Sequence, residues 1–184
     1  MSRISLPASI EASPAASRPL LEAVQKQFGL VPNVFRLIGN SPAGLEGFLG
    51  LSGALGKGAL EPATRTRIAI AVAEVNACNY CLSAHSYIGK NLVKLSDDEL
   101  AANRDGGSTD AKASAATQFA VKLVKARGHV SSADVQAVKQ AGYNDAQIIE
   151  IVLHVALNTA TNYANVLADT EIDFPVIKAK QQAA

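Results

Sequence analysis

Four side chains in one stretch of this sequence could do chemistry together: Glu74, Cys78, Cys81 and His85. Cys78 and Cys81 are the only cysteines in the 184 residues, and they are spaced Cys-x-x-Cys. A carboxylate lies four residues before the pair and an imidazole four residues after it. On a continuous helix, at about 100° per residue, the four fall within an arc of roughly 60°. A nucleophilic thiol, a resolving thiol and a proton shuttle are the parts of a thiol redox site.

Other chemistries compete for the same residues. Two cysteines can be small buried hydrophobes. Zinc accepts thiolate, imidazole and carboxylate ligands. Yet residues 74 to 85 would span about 16 Å of straight helix, too far for all four to converge on one ion. Cys78, Cys81 and His85 could serve only with a ligand from elsewhere. A thioredoxin-like site needs a strand before the motif and alternating βα units. Thiols alone suffice for the redox reading, so no cofactor and no metal is expected.

The elements that must position these residues read as helices throughout, an all-α chain. The residues are 48% hydrophobic, alanine is abundant and tryptophan absent, which favours tightly packed helices over a sandwich of sheets. A net charge of +1 leaves no basic footprint for nucleic acid. No run of about 18 apolar residues predicts a membrane span, and the first residues lack a signal-like apolar core. A cytoplasmic protein is expected, and in a reducing compartment Cys-x-x-Cys is more often catalytic than a staple.

Residues 1–17 read as an irregular N-terminal segment, 18–176 as one helical domain and 177–184 as a tail. Pro19 fits the first turn of a helix that Gly29 stops. Short helices follow over 33–39 and from Pro42 to about Leu55. The glycines of the latter (Gly44, Gly47, Gly50, Gly53) either admit a neighbouring helix or mark a loose one. A central helix begins at Pro62 and runs through Ile68, Ile70 and Val72, an alternation that a strand would also show. Being apolar nearly all round, it is expected to be buried, so Glu74 at its end must find a partner or a proton. Ala77-Cys78 is a plausible break, and a helix starting there would place Cys78 at its N-terminus and lower its pKa. That helix would carry Cys81, His85, Ile88 and Leu92 on one side.

Ser96 and Glu99 form a capping-box pattern for a short helix ending near Arg104. A long helix follows over 110–127, then one capped by Ser132. Asn144 with Gln147 opens a last helix reaching about Asp169. His154, Asn158, Asn162 and Asn165 share one of its faces. This is a polar or subunit-contacting stripe, or else His154 or Asn162 reaches the redox site. His129, in a turn, is expected to be solvated. With no secure strand, the thioredoxin-like reading fails.

Glu-x-x-x-Cys-x-x-Cys-x-x-x-His in an alanine-rich helical chain resembles the alkylhydroperoxidase D (AhpD)-like, carboxymuconolactone decarboxylase superfamily. Phe119-Ala-Val-Lys-Leu-Val-Lys-Ala-Arg-Gly128, Ala141-Gly-Tyr-Asn-Asp-Ala, Asn162-Tyr-Ala-Asn165 and Ile172-Asp-Phe-Pro175 look like its peroxidase-related members. The resemblance covers roughly residues 20–175. It implies an AhpD-like fold, a helix-packed homo-oligomer and thiol-dependent reduction of a hydroperoxide substrate. It also implies Cys81 as attacking thiol, Cys78 as resolving thiol, and a Glu74/His85 proton relay, with an unknown dithiol reductant as partner. Two departures accompany it. Tyr80 stands between the cysteines where AhpD has a histidine, and the glutamate of AhpD lies farther upstream. Rival functions are a redox-responsive interaction module, a disulfide reductase without peroxide turnover, and a decarboxylase-type lyase that ignores the thiols.

Overall fold

In a computed structural model that describes residues 3–180, the chain is all-helical, with no strand among those residues. Among the described residues nine α-helices follow one another: α1 (Arg18–Phe28), α2 (Asn33–Ile38), α3 (Pro42–Leu55), α4 (Pro62–Val75), α5 (Asn79–Ile88), α6 (Asp97–Arg104), α7 (Ala111–Lys125), α8 (Ser132–Gln140) and α9 (Asp145–Ala168). No helix among the described residues is long and apolar enough to cross a membrane.

The central helix α4 packs against α5, α6, α7 and α9, which explains its pattern. Ile68 and Val72 enter a core with Phe119, Ala120 and Leu123 of α7 and Ile148, Ile151 and Val155 of α9. Ile70 and Ala73 enter a second core with Cys78, Tyr80, Cys81 and Leu82. A run that alternates like a strand is thus a helix buried on two sides, and each isoleucine so buried contributes about 2–3 kcal/mol.

Turn chemistry sets most boundaries. Gly29 takes φ 79° and its N–H closes α1 on the Gln25 carbonyl. The Asn144 and Gln147 side chains cap α9 reciprocally. Ser131, rather than Ser132, caps α8, with Asp134 completing the box. The Ser96 hydroxyl accepts the Glu99 N–H, but the Glu99 carboxylate does not return the bond. It binds Arg67 at 2.6 Å and the Ser108 and Thr109 hydroxyls instead, fixing the loop before α7. The helix expected to reach Leu92 ends at Ile88. One π-helical turn over Gly89–Val93 follows, and Leu92 lies 68% exposed instead of on the Cys81 face. The wider turn rotates it off register.

The segments before α1 and after α9 are tied down among the described residues. Arg36 of α2 donates to the carbonyls of Pro7 and Ala8, and the Ser17 hydroxyl donates to the Gly39 carbonyl at 2.7 Å. The segment after α9 runs back across α5 as a strap, residues 171–180. The sequence boundary at 176 falls inside this strap, which continues bound through Lys180; the rest of the expected tail, 181–184, lies outside the described residues.

Candidate active site

Helix does not run continuously over 74–85, and the break falls at Ala77-Cys78, where the sequence offered one. Helix α4 ends at Val75, Ala77 takes the left-handed φ of 51°, and Cys78 caps α5 in an extended conformation. A left-handed alanine costs roughly 1–2 kcal/mol, and here it sets the direction in which α5 departs. The Cys78 Sγ accepts the N–H of Cys81 at 3.2 Å, as an N-cap oxygen would. Both thiols are free and buried, at 1% and 3% exposure.

Their environments differ. The Cys81 sulfur stands next to the Cys78 thiol, and the Asn165 amide donates to it at 3.3 Å. Asn162 and Thr161 stand beside it. These donors pull the Cys81 pKa below the ordinary thiol value against the opposing effect of burial. Cys78 goes the other way: sharing its proton with Cys81 and being buried, it is pushed far up. The helix N-terminus therefore does not make Cys78 the acidic thiol, contrary to the sequence expectation. Side-chain donors aimed at Cys81 outweigh the backbone donors near Cys78.

The polar face of α9 turns inward. His154, Asn158, Asn162 and Asn165 are all buried, at 7%, 7%, 0% and 3%. Asn165 reaches Cys81, Asn158 stands beside His85, and Asn162 accepts a 2.9 Å bond from Asn76 at the α4–α5 break. His154 lies toward Arg65 and Glu150 instead. Sequence reasoning singled out this face but did not assign Asn165 to the sulfur. The available signal was the polar spacing 158, 162, 165 inside an otherwise apolar helix.

Glu74 is not brought to His85 or to the thiols. One carboxylate oxygen binds Arg104 at 2.7 Å and the other takes the Lys180 N–H of the strap. Among the described residues no hydrogen bond joins His85 to Cys78, Cys81 or Glu74. His85 is held neutral by burial, its pKa pushed down to about 4 despite the Asn158 contact. The Tyr80 hydroxyl accepts the Val34 N–H at 3.1 Å, and its ring meets Phe174 of the strap edge-on. His129 is exposed in its turn. Among the described residues no cluster of histidine, cysteine and carboxylate groups could hold a metal.

The strap covers this site from outside. Ile177 N–H donates to the Ser83 hydroxyl at 2.9 Å, and Ala179 N–H to the Asn79 side-chain oxygen at 2.8 Å. Arg104, while holding Glu74, also donates to the Lys178 carbonyl. The strap is thus pinned to α5 on both sides of Cys81.

Residues 42–126, from the start of α3 to the end of α7, match the model of the carboxymuconolactone decarboxylase family. The fold is similar to that of the alkylhydroperoxidase AhpD core, a peroxidase-related protein from Ralstonia eutropha JMP134. There the TM-score is 0.82 at 28% identity, over 94% of this chain and 92% of that one. A peroxidase-related protein from Silicibacter sp. TM1040 gives 0.79 at 25% identity, over 92% and 91%. A debrominase in complex with 2,3,4-tribromopyrrole shares the fold, at 0.77 and 20% identity over 94% of each chain. No curated protein matches this sequence.

Proposed function

From the premise that the chain takes the AhpD-like fold and that residues 42–126 match the carboxymuconolactone decarboxylase family, we propose that it is a thiol-dependent hydroperoxide reductase working through Cys81 and Cys78. The observation that carries this reading is the asymmetric thiol pair: one sulfur surrounded by donors, the other holding a proton one helical turn away. The Cys81 thiolate attacks the distal peroxide oxygen, the O–O bond breaks, and the leaving alkoxide takes a proton to become the alcohol. Cys81 is then a sulfenic acid. The Cys78 sulfur displaces its oxygen, which leaves as water, and a disulfide forms. An external dithiol returns two electrons and two protons.

His85, one turn of α5 beyond Cys81, serves as the proton relay. A neutral imidazole accepts a proton at one nitrogen and gives one from the other. Glu74 joins the relay only once Arg104 and the strap release it; in the closed arrangement it anchors the strap.

Self-association belongs to the same reading. With its polar face inward, α9 presents Ile149, Leu153, Tyr163 and Leu167 outward, at 59%, 36%, 62% and 60% exposure. Gly47, Gly50 and Gly53 of α3 meet nothing within 4 Å of where a Cβ would stand. Such surfaces suit helix packing between copies.

The test is to trap sulfenic acid in single cysteine variants after a stoichiometric dose of an organic hydroperoxide. Cys78→Ser should accumulate it on Cys81, and Cys81→Ser should not form it. The reverse pattern would overturn the assignment of the two thiols.

A further inference from the structure

Resting on that reading, we propose that Asn165 is the positioning residue that holds Cys81 as the attacking thiolate, through an N–H···S hydrogen bond delivered by α9 from outside the Cys-x-x-Cys helix. The bond is 3.3 Å long, and Asn165 is 3% exposed.

The amide can point only one way. Its nitrogen also donates to the Thr161 carbonyl at 3.0 Å. A flipped amide would set its oxygen against that carbonyl, acceptor on acceptor. One N–H is thereby spent on Thr161 and the other is aimed at the sulfur. The Asn165 side-chain oxygen is left buried with no partner. An unsatisfied buried acceptor is costly, and a side chain kept only for packing has no need of it. The neighbouring Asn162 is oriented in the same sense. Its oxygen is taken by Asn76, which leaves its amide nitrogen buried and without a conventional partner in the neighbourhood of Cys81. Nothing equivalent serves Cys78, which receives backbone donors only.

This arrangement activates the thiol without a titrating base. Amides keep their protons at every physiological pH, so the thiolate does not depend on a charged histidine. The role of His85 is then confined to the proton that the leaving alkoxide needs.

Chain chemistry makes the test clean, because Cys78→Ser leaves one cysteine in the protein, and serine is a good N-cap. The ultraviolet thiolate absorbance of the full-length Cys78→Ser protein is titrated against pH, with and without Asn165→Leu. A hydrogen bond to a charged group is worth enough to predict an apparent pKa about one to two units higher in the leucine variant. Asn165→Asp, equal in size and carrying a like charge, should raise it further, and Asn165→Gln should restore part of the loss. The Asn165 side-chain amide proton resonance in Cys78→Ser itself, followed through the same titration, should move with the Cys81 midpoint; this reading needs no change at residue 165. An unmoved midpoint in folded Asn165→Leu or Asn165→Asp, or an amide resonance indifferent to the titration, overturns the proposal. None of these readings uses peroxide. A protein that keeps the Asn165-dependent midpoint but consumes no peroxide refutes the peroxidase reading alone.

Discussion

At the residue scale the proposed mechanism gives the two thiols unequal work. Replacing Cys81 with serine removes the sulfur that the Asn165 side-chain amide addresses, and peroxide consumption should fall to the uncatalysed rate. Replacing Cys78 should spare the first turnover and abolish recycling, seen as a single burst in stopped-flow peroxide loss. His85→Gln is expected to lower the rate about 10²-fold or more, the usual contribution of a positioned proton-transfer group. Because burial holds His85 at about 4, no acid limb of the rate should appear near the ordinary histidine value. A limb near pH 6.5 that His85→Gln removes would show a histidine that titrates in the open. Spacing alone singled out the thiol pair and His85 in the sequence. The proposed role of Asn165 was not legible, since an asparagine one turn beyond others on a helix looks the same whether it faces solvent, a second subunit or a sulfur.

At the element scale the site depends on the break between α4 and α5 and on the strap. Ser83 and Asn79 lie on α5 and accept the strap's Ile177 and Ala179 amides. Ser83→Ala should cost about 1 kcal/mol and speed hydrogen exchange at the Ile177 amide, while exchange within α4 stays slow. Glu74→Gln removes the charge that binds Arg104, so exchange should also rise through Lys178–Lys180. Caps and breakers made several helices readable: Gly29 and Asn144 act where their chemistry predicts. The π turn after Ile88 was not readable, because Leu92 continues the 3–4 spacing and nothing local announces the wider turn. The strap was hidden for another reason. Its hydrogen bonds join residues 74 to 140 positions apart, and local patterns carry no information about such partners.

At the scale of the whole molecule, buried titrating groups set the acid limit. His85 and His154 are held near 4 in the fold against an ordinary 6.5. The unfolded chain therefore binds more protons between those values, and stability is full above pH 6.5 and falls as pH drops toward 4. Burial alone would raise Glu99, but hydrogen bonds from Ser108, Thr109 and Asn103 hold it at about 2 against 4.5. Its contribution is present above 4.5 and is lost as pH falls toward 2. Urea midpoints measured against pH should decline in these two stages, with His154→Gln flattening the first. Glu99→Ala leaves Arg67 half-buried and unpaired and should cost roughly 3–5 kcal/mol. On the proposed self-association through α9, Tyr163→Glu with Leu167→Glu should reduce the mass seen by light scattering to that of one protomer. Whether the two cysteines form a peroxide-driven couple is read from intact mass and free-thiol content of the reduced protein, before and after one equivalent of an organic hydroperoxide. Loss of both thiols and of two hydrogen atoms in mass, abolished in either single variant, is expected. Two thiols left intact at millimolar peroxide would contradict it.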